Sequence, residues 1–214
     1  MNKKIALSLV AASLLSAGVS STAVAHQAGD FIFRVGAVAV VPNESSPVVA
    51  DVAEFTVDDN TQVGLNFGYM LTDNWGLELL AATPFSHDVS LGELGKIAET
   101  KHLPPTLVAQ YYFGNSQSKL RPYIGVGVNF TNFFDNEFTN DLDGALTDLS
   151  MSNSWGLAAQ VGLDYQFNDN WLVNASVWYA DISTDVKFNL GENAVSVETD
   201  IDPWVYMVSI GYTF

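Results

Sequence analysis

Few side chains in this sequence are equipped for acid–base, nucleophilic or metal chemistry. Histidine occurs only as His26, His87 and His102, and there is no cysteine. No histidine stands at a metal-ligand spacing from another, so neither a metal site nor a thiolate nucleophile is readable. One grouping could act as an acid–base pair: His87-Asp88 together with His102. The simpler reading makes them solvated loop residues, and the chain is predicted to be no enzyme, with no catalytic residue, metal or cofactor. A second grouping is Arg34, Glu78 and Asp164, one cation and two carboxylates far apart in sequence. Acids also crowd into a few stretches, with Glu44, Asp51, Glu54, Asp58 and Asp59 in one, Asp135, Glu137, Asp141, Asp143 and Asp148 in another, and Glu192, Glu198, Asp200 and Asp202 in a third. Oxygen ligands suit divalent cations, but the regular spacing of a dedicated calcium loop is missing, so a solvated acidic rim is the reading preferred.

Arg34, Glu78 and Asp164 can meet only if the backbone turns them to one face. The C-terminal stretch shows what kind of backbone this is. Trp204, Tyr206, Val208, Ile210, Tyr212 and Phe214 alternate with Val205, Met207, Ser209, Gly211 and Thr213. Side chains of a strand point to opposite faces with period two, and a segment of about ten residues, large and apolar outside but small or polar inside, suits a strand between lipid and a lumen. Seven further segments repeat the pattern, beginning near Phe31, Val63, Trp75, Leu107, Ile124, Trp155 and Trp171. An even count of strands returns both termini to one side of the membrane. The predicted fold is therefore all-β, an eight-stranded antiparallel transmembrane β-barrel. Residues 72–74, 115–119 and 168–170 are short links of turn formers, which places them in the periplasm. The links over 42–61, 86–102, 134–151 and 183–202 are long and are assigned as extracellular loops, with a short helical turn expected over 140–149.

The N-terminus and the composition agree with an outer-membrane destination. Lys3 and Lys4 precede an apolar run over 5–19, and Ala23-Val24-Ala25 forms a small-x-small cleavage site, so residues 1–25 are predicted to be a cleaved signal peptide and 26–214 the barrel. The run is too short for a spanning helix. Absence of cysteine suits a chain that crosses an oxidising periplasm. Eight basic against 24 acidic side chains give a net charge of −16, or −18 without Lys3 and Lys4, which makes nucleic acid an unsuitable partner.

Parity then sorts the inward face. Arg34, Glu78 and Asp164 lie toward the periplasmic half of their strands, while Val38, Leu80, Val108 and Trp178 lie higher. Eight strands leave an interior hardly wider than the side chains that fill it, which excludes a wide aqueous pore. Arg34, Glu78 and Asp164 read first as a structural ion cluster, since buried charges need partners; a role in ion selectivity is the alternative. Leu80, Trp178, Val38 and Val108 read either as core packing or as a hydrophobic constriction that stays dry yet opens for an apolar solute.

Several strings resemble the outer membrane protein W (OmpW) family: Leu79-Leu80-Ala81-Ala82-Thr83-Pro84-Phe85, His102-Leu103-Pro104-Pro105-Thr106-Leu107, Arg121-Pro122-Tyr123, Phe133-Phe134-Asp135-Asn136 and Asp202-Pro203-Trp204. The resemblance runs from His26 to the C-terminus. It implies an eight-stranded barrel in the outer membrane of a Gram-negative bacterium, with an apolar lumen that passes small hydrophobic molecules, some leaving sideways into the bilayer. The partners expected on this reading are outer-membrane lipid and lipopolysaccharide, small hydrophobic solutes and, during insertion, the barrel-assembly machinery, which reads C-terminal aromatics like Phe214; the barrel is expected to be a monomer. The alternative is a closed structural or surface-recognition barrel, its acidic loops a receptor for phage, bacteriocin or host.

Overall fold

A computed structural model describes residues 26–49 and 52–214. The predicted signal peptide, 1–25, lies outside the described residues. The described elements are the strands β1 (Phe31–Val41), β2 (Phe55–Val57), β3 (Asn60–Met70), β4 (Trp75–Ala82), β5 (Phe85–Leu91), β6 (Lys96–Leu103), β7 (Thr106–Tyr112), β8 (Leu120–Phe138), β9 (Leu146–Met151), β10 (Ser154–Gln166), β11 (Trp171–Ala180), β12 (Ser183–Leu190), β13 (Asn193–Asp200) and β14 (Trp204–Thr213), with one 3-10 turn at Gly92–Leu94. Eight of them pair in the order β10-β11-β14-β1-β3-β4-β7-β8, and β8 pairs back onto β10. The first and last strands meet antiparallel with Phe33 opposite Tyr212. Such a ring closes on itself, as lipid requires, because hydrocarbon offers no partner to a free N–H or C=O.

The alternation in sequence becomes an inside and an outside. Phe67, Leu107, Val126, Leu157, Val161 and Val208 are exposed on the outer wall, whereas their neighbours Asn66, Val108, Ala158, Gln160 and Met207 are buried. Cross-strand aromatic pairs band the wall at two heights. Trp75–Tyr111 and Trp171–Tyr212 lie by the short turns with ring centroids 5.1 and 5.0 Å apart, and Phe130–Trp155 and Tyr179–Trp204 lie at the other end at 4.7 and 5.4 Å. On β10 the bands are marked by Trp155 and Tyr165. Ten residues at about 3.3 Å, tilted about 40°, separate them by about 25 Å, the height of an outer-membrane apolar band.

Beyond the upper band three of the four long links, 86–102, 134–151 and 183–202, are largely strand, and the first, 42–61, contributes the short β2. β8 continues past Phe130 to Phe138, and there it pairs with β6, which pairs with β5, which pairs with β2. β13, β12 and β9 form a second, three-stranded sheet. The helical turn expected over 140–149 does not form: Leu142 and Asp143 take φ of 52° and 58°, a left-handed geometry that a right-handed helix cannot contain, and β9 starts at Leu146. This outer tier has its own apolar interior, built by Val49, Phe55, Leu91, Ile97, Leu146, Val186, Phe188 and Val197.

Depth along the outer wall sets the cost of a charge there. Val161→Arg, near mid-membrane, is expected to destabilise the barrel by about 2–4 kcal/mol, and Tyr165→Arg, at the lower band, by about 0–1 kcal/mol. Equilibrium unfolding by guanidinium in lipid vesicles measures both; equal costs would contradict the placement of the bands.

Candidate functional site: apolar cavities over a polar floor

The lumen is closed at its short-turn end by a network of buried polar groups. Arg34 enters from β1 between Asn66 of β3 and Gly211 of β14. Its guanidinium donates to the carboxylates of Glu78 and Asp164, the latter at 2.5 Å, and to the Tyr112 hydroxyl at 3.0 Å. Tyr112 donates to Gln110 at 3.0 Å, Gln110 to Gln160 at 2.9 Å, and Gln160 returns to Glu78 at 2.9 Å, which completes a cycle across the interior. Asn174 bridges Asp164 and the Tyr123 hydroxyl at 2.7 and 2.8 Å. Tyr123 reaches this position because its partner residue on β10 is Gly162, where an added Cβ would stand 2.3 Å from the tyrosine ring. Arg34, Glu78 and Tyr112 are each 0% exposed.

Two residues complete the floor that sequence reasoning had not placed in it. His26 Nε2 lies 2.7 Å from Asp164. Arg121 donates to the backbone oxygens of His26 and Asp73 at 2.8 and 2.6 Å and stacks over Tyr112. Arg121 lies on the inward parity of β8, opposite Asp164, a signal the sequence did carry. His26 carried none, since it precedes β1 and belongs to no periodic segment.

Above the floor the lining turns apolar. Leu80, Trp178, Val38 and Val108 pack in one buried cluster with Val40, Phe85, Ala158, Val205 and Met207. Leu80, Trp178 and Val38 face a small cavity of about 30 Å³; Val108 supports the cluster without lining that space. The Trp178 indole N–H donates to Ser176 Oγ at 3.2 Å, which fixes the ring across the lumen. A second cavity of about 100 Å³ lies in the outer tier, walled by residues that include Val49, Phe55, Leu91, Leu146 and Phe188. Val40, His102, Ile182 and Pro203 border both cavities, so the two adjoin, the larger above the smaller. Sequence reasoning missed the upper stage because it took 183–202 and its counterparts as loops. The signal was present in the alternation of Val186 with Phe188 and of Val195 with Val197.

The His87-Asp88-His102 grouping has no acid–base geometry, and its histidines are not solvated as expected. His87 and His102 are buried, with rings stacked at a centroid distance of 4.9 Å and an interplanar angle of 13°, and Phe85 stacks against both, at 5.4 Å from His102 and 6.3 Å from His87. Face-to-face rings cannot share a proton. Asp88 pairs instead with Lys96 at 2.6 Å. These residues sit above the upper aromatic band. Burial and the neighbouring His87 hold the His102 pKa down at about 3, and burial lowers that of His87. Among the described residues, no group of three or more His, Cys, Asp or Glu is arranged to hold a metal ion.

The profile described as OmpW family matches residues 27–214. Outer membrane protein W of Vibrio cholerae serotype O1 is 52% identical over 209 residues, covering 94% of this chain and 96% of that protein. The crystal structure of the outer membrane protein OprG from Pseudomonas aeruginosa superposes with a TM-score of 0.83 at 46% identity, over 89% of this chain and 98% of the other. A more distant relative, the dibenzothiophene metabolism operon protein PahQ of Pseudomonas aeruginosa, is 27% identical over 162 residues, 73% of this chain and 72% of its own.

Two predictions test this geometry. Arg34→Leu leaves Glu78 and Asp164 without their shared counter-charge and is expected to cost about 3–5 kcal/mol in urea unfolding, part of which Glu78→Gln restores in the double variant; wild-type resistance of Arg34→Leu would show that the network does not hold the barrel. The second concerns His102, whose folded pKa is depressed below its unfolded value of about 6.5. The unfolded chain then binds the extra proton, so the contribution of the outer tier to stability is complete above about pH 6.5 and declines as pH falls toward 3. Hydrogen exchange of the β5 and β6 amides, corrected for intrinsic rates, should show this decline, and His102→Phe should flatten it.

Proposed function

The chain belongs to the OmpW family of outer-membrane β-barrels, and from that premise we propose that it admits small hydrophobic molecules from the cell exterior and delivers them to the outer membrane. The observation that carries this reading is the continuity of apolar lining from the outer-tier cavity, past Val40 and Ile182, to the cavity over Leu80 and Trp178. Such a lining disfavours water and ions and favours an apolar solute, the property of a hydrophobic gate. The name of the relative PahQ refers to the metabolism of dibenzothiophene, an apolar aromatic, and so supports the same class of solute.

The polar floor argues against a straight route to the periplasm. A hydrophobic molecule would have to displace the buried Arg34, Glu78 and Asp164 network and leave its charges unpaired, whereas a sideways route meets no such cost. The wall is weakest between β4 and β7. β4 extends to Ala82, yet its pairing with β7 stops at Leu80 opposite Thr106, and the preceding Pro104 and Pro105 have no N–H to extend the ladder. Ala81, Ala82, Pro104 and Thr106 all border the lower cavity. In this proposal the solute leaves there, into the bilayer.

Uptake of a labelled apolar solute into liposomes should be faster with the purified barrel than without it. Replacing both Leu80 and Trp178 by Ala should raise ion conductance, because water then reaches across a neck that is otherwise dry, and should change the apolar uptake rate. Equal uptake with and without the folded barrel, its folding checked by heat-modifiable gel mobility, would overturn the proposal in favour of a closed barrel that serves structure or surface recognition.

A further inference from the structure

The wall of the upper cavity is apolar except at His87, Thr100, His102, Thr131 and Thr199, of which Thr100 and Thr131 have side-chain partners in Asn136 and Asn129. His87 Nε2 and Thr199 Oγ1 are buried without a hydrogen-bond partner among the described residues, and both residues belong to the cavity wall. His87 is 2% exposed, held by its stack on His102. Its Nδ1 lies 2.6 Å from the backbone oxygen of Asp58. A carbonyl oxygen only accepts, so Nδ1 carries the hydrogen, and in the neutral ring Nε2 is a bare lone pair. Burial favours that neutral ring by lowering the His87 pKa.

An unpartnered acceptor in an apolar wall is unfavourable compared with a hydrocarbon side chain of the same size. A ligand atom that donates a hydrogen bond would remove that disadvantage, and a ligand made only of carbon and hydrogen would not. We propose that the outer-tier cavity is a selective site for small apolar molecules bearing one hydrogen-bond-donating group, a hydroxyl in particular, which bonds His87 Nε2 while the apolar body packs among Phe55, Leu91 and Phe133. The proposal rests on the hydrophobic-passage reading and names its preferred substrate class: phenols and alcohols over the parent hydrocarbons. Discrimination of this kind arises because a site polar atom left unpaired penalises the analogue that lacks the hydroxyl.

4-Fluorophenol and 4-fluorotoluene differ by hydroxyl against methyl at nearly the same size, and fluorine NMR reads the binding of each. With the full barrel in lipid nanodiscs, and with partition into protein-free nanodiscs subtracted, 4-fluorophenol should bind about tenfold more tightly, the worth of one hydrogen bond. His87→Leu should reduce the preference to within about twofold and leave 4-fluorotoluene binding unchanged. In the unsubstituted barrel, where folding is not in question, the nitrogen-15 resonance of His87 Nε2 should move upfield with 4-fluorophenol and stay in place with 4-fluorotoluene. Equal affinities, or a preference that survives His87→Leu with an unmoved Nε2 resonance, would overturn the hydroxyl selectivity and leave the passage standing. Binding of neither probe would overturn the passage reading and this inference with it.

Discussion

Hydrocarbon gives a backbone nothing to bond with, and the rest of this structure follows from that constraint. The strands must complete one another around a ring, so β1 is joined to β14 and β8 to β10. Ring closure with eight strands also fixes the width of the lumen. Whatever points inward must pack against, or bond to, what points inward from the other side. The interior is therefore assembled like a protein core, even though it lies along the axis of a barrel.

A core that narrow can hold charge only where it can pair it. Arg34 spreads its donors over two carboxylates and a tyrosine, and the glutamines join Glu78 to Tyr112 by a second route. Arg121 fastens the same region to the backbone of His26 and of the turn at Asp73. The consequence is directional. The floor is polar, cross-linked by hydrogen bonds and ion pairs and costly to open, while the space above it is lined mainly by apolar side chains. In the proposed function, an apolar solute then meets its steepest barrier below and its lowest barrier upward or through the wall, where β4 is not paired with β7 beyond Leu80.

The outer tier extends this logic beyond the lipid. Strands that rise past the upper aromatic band stand in water on their outer side, and they bury their apolar faces against each other in the middle. β8 is the element that joins the two environments, since it pairs with β7 and β10 in the membrane and with β6 above it. The cluster of Phe85, His102 and His87 lies at the level at which the two cavities meet, and it sets imidazole nitrogens into a mainly apolar wall.

The alternation of Trp204 to Phe214 and of seven further segments sufficed, without any structure, to establish the barrel, its strand count and which residues face lipid, because a period of two is a local property of the chain and lipid enforces it along every strand. Parity likewise put Arg34, Glu78 and Asp164 on the inward side. Which atoms bond there depends on the stagger between strands, and that is set by pairing across the ring, not by any one segment. The same holds for His26, which joins the floor from outside any strand. The outer tier was harder to read for a further reason, despite the alternation of Val186 with Phe188. Its strands are short, acid-rich and interrupted by left-handed turns at Leu142 and Asp143, so each resembles a loop when taken alone. Only the pairing of β12 with β13 and β9, and of β5 with β6 and β2, turns Val186, Phe188 and Leu91 toward one another. The cavity, and with it the unpartnered nitrogen of His87, exists only in that assembled arrangement.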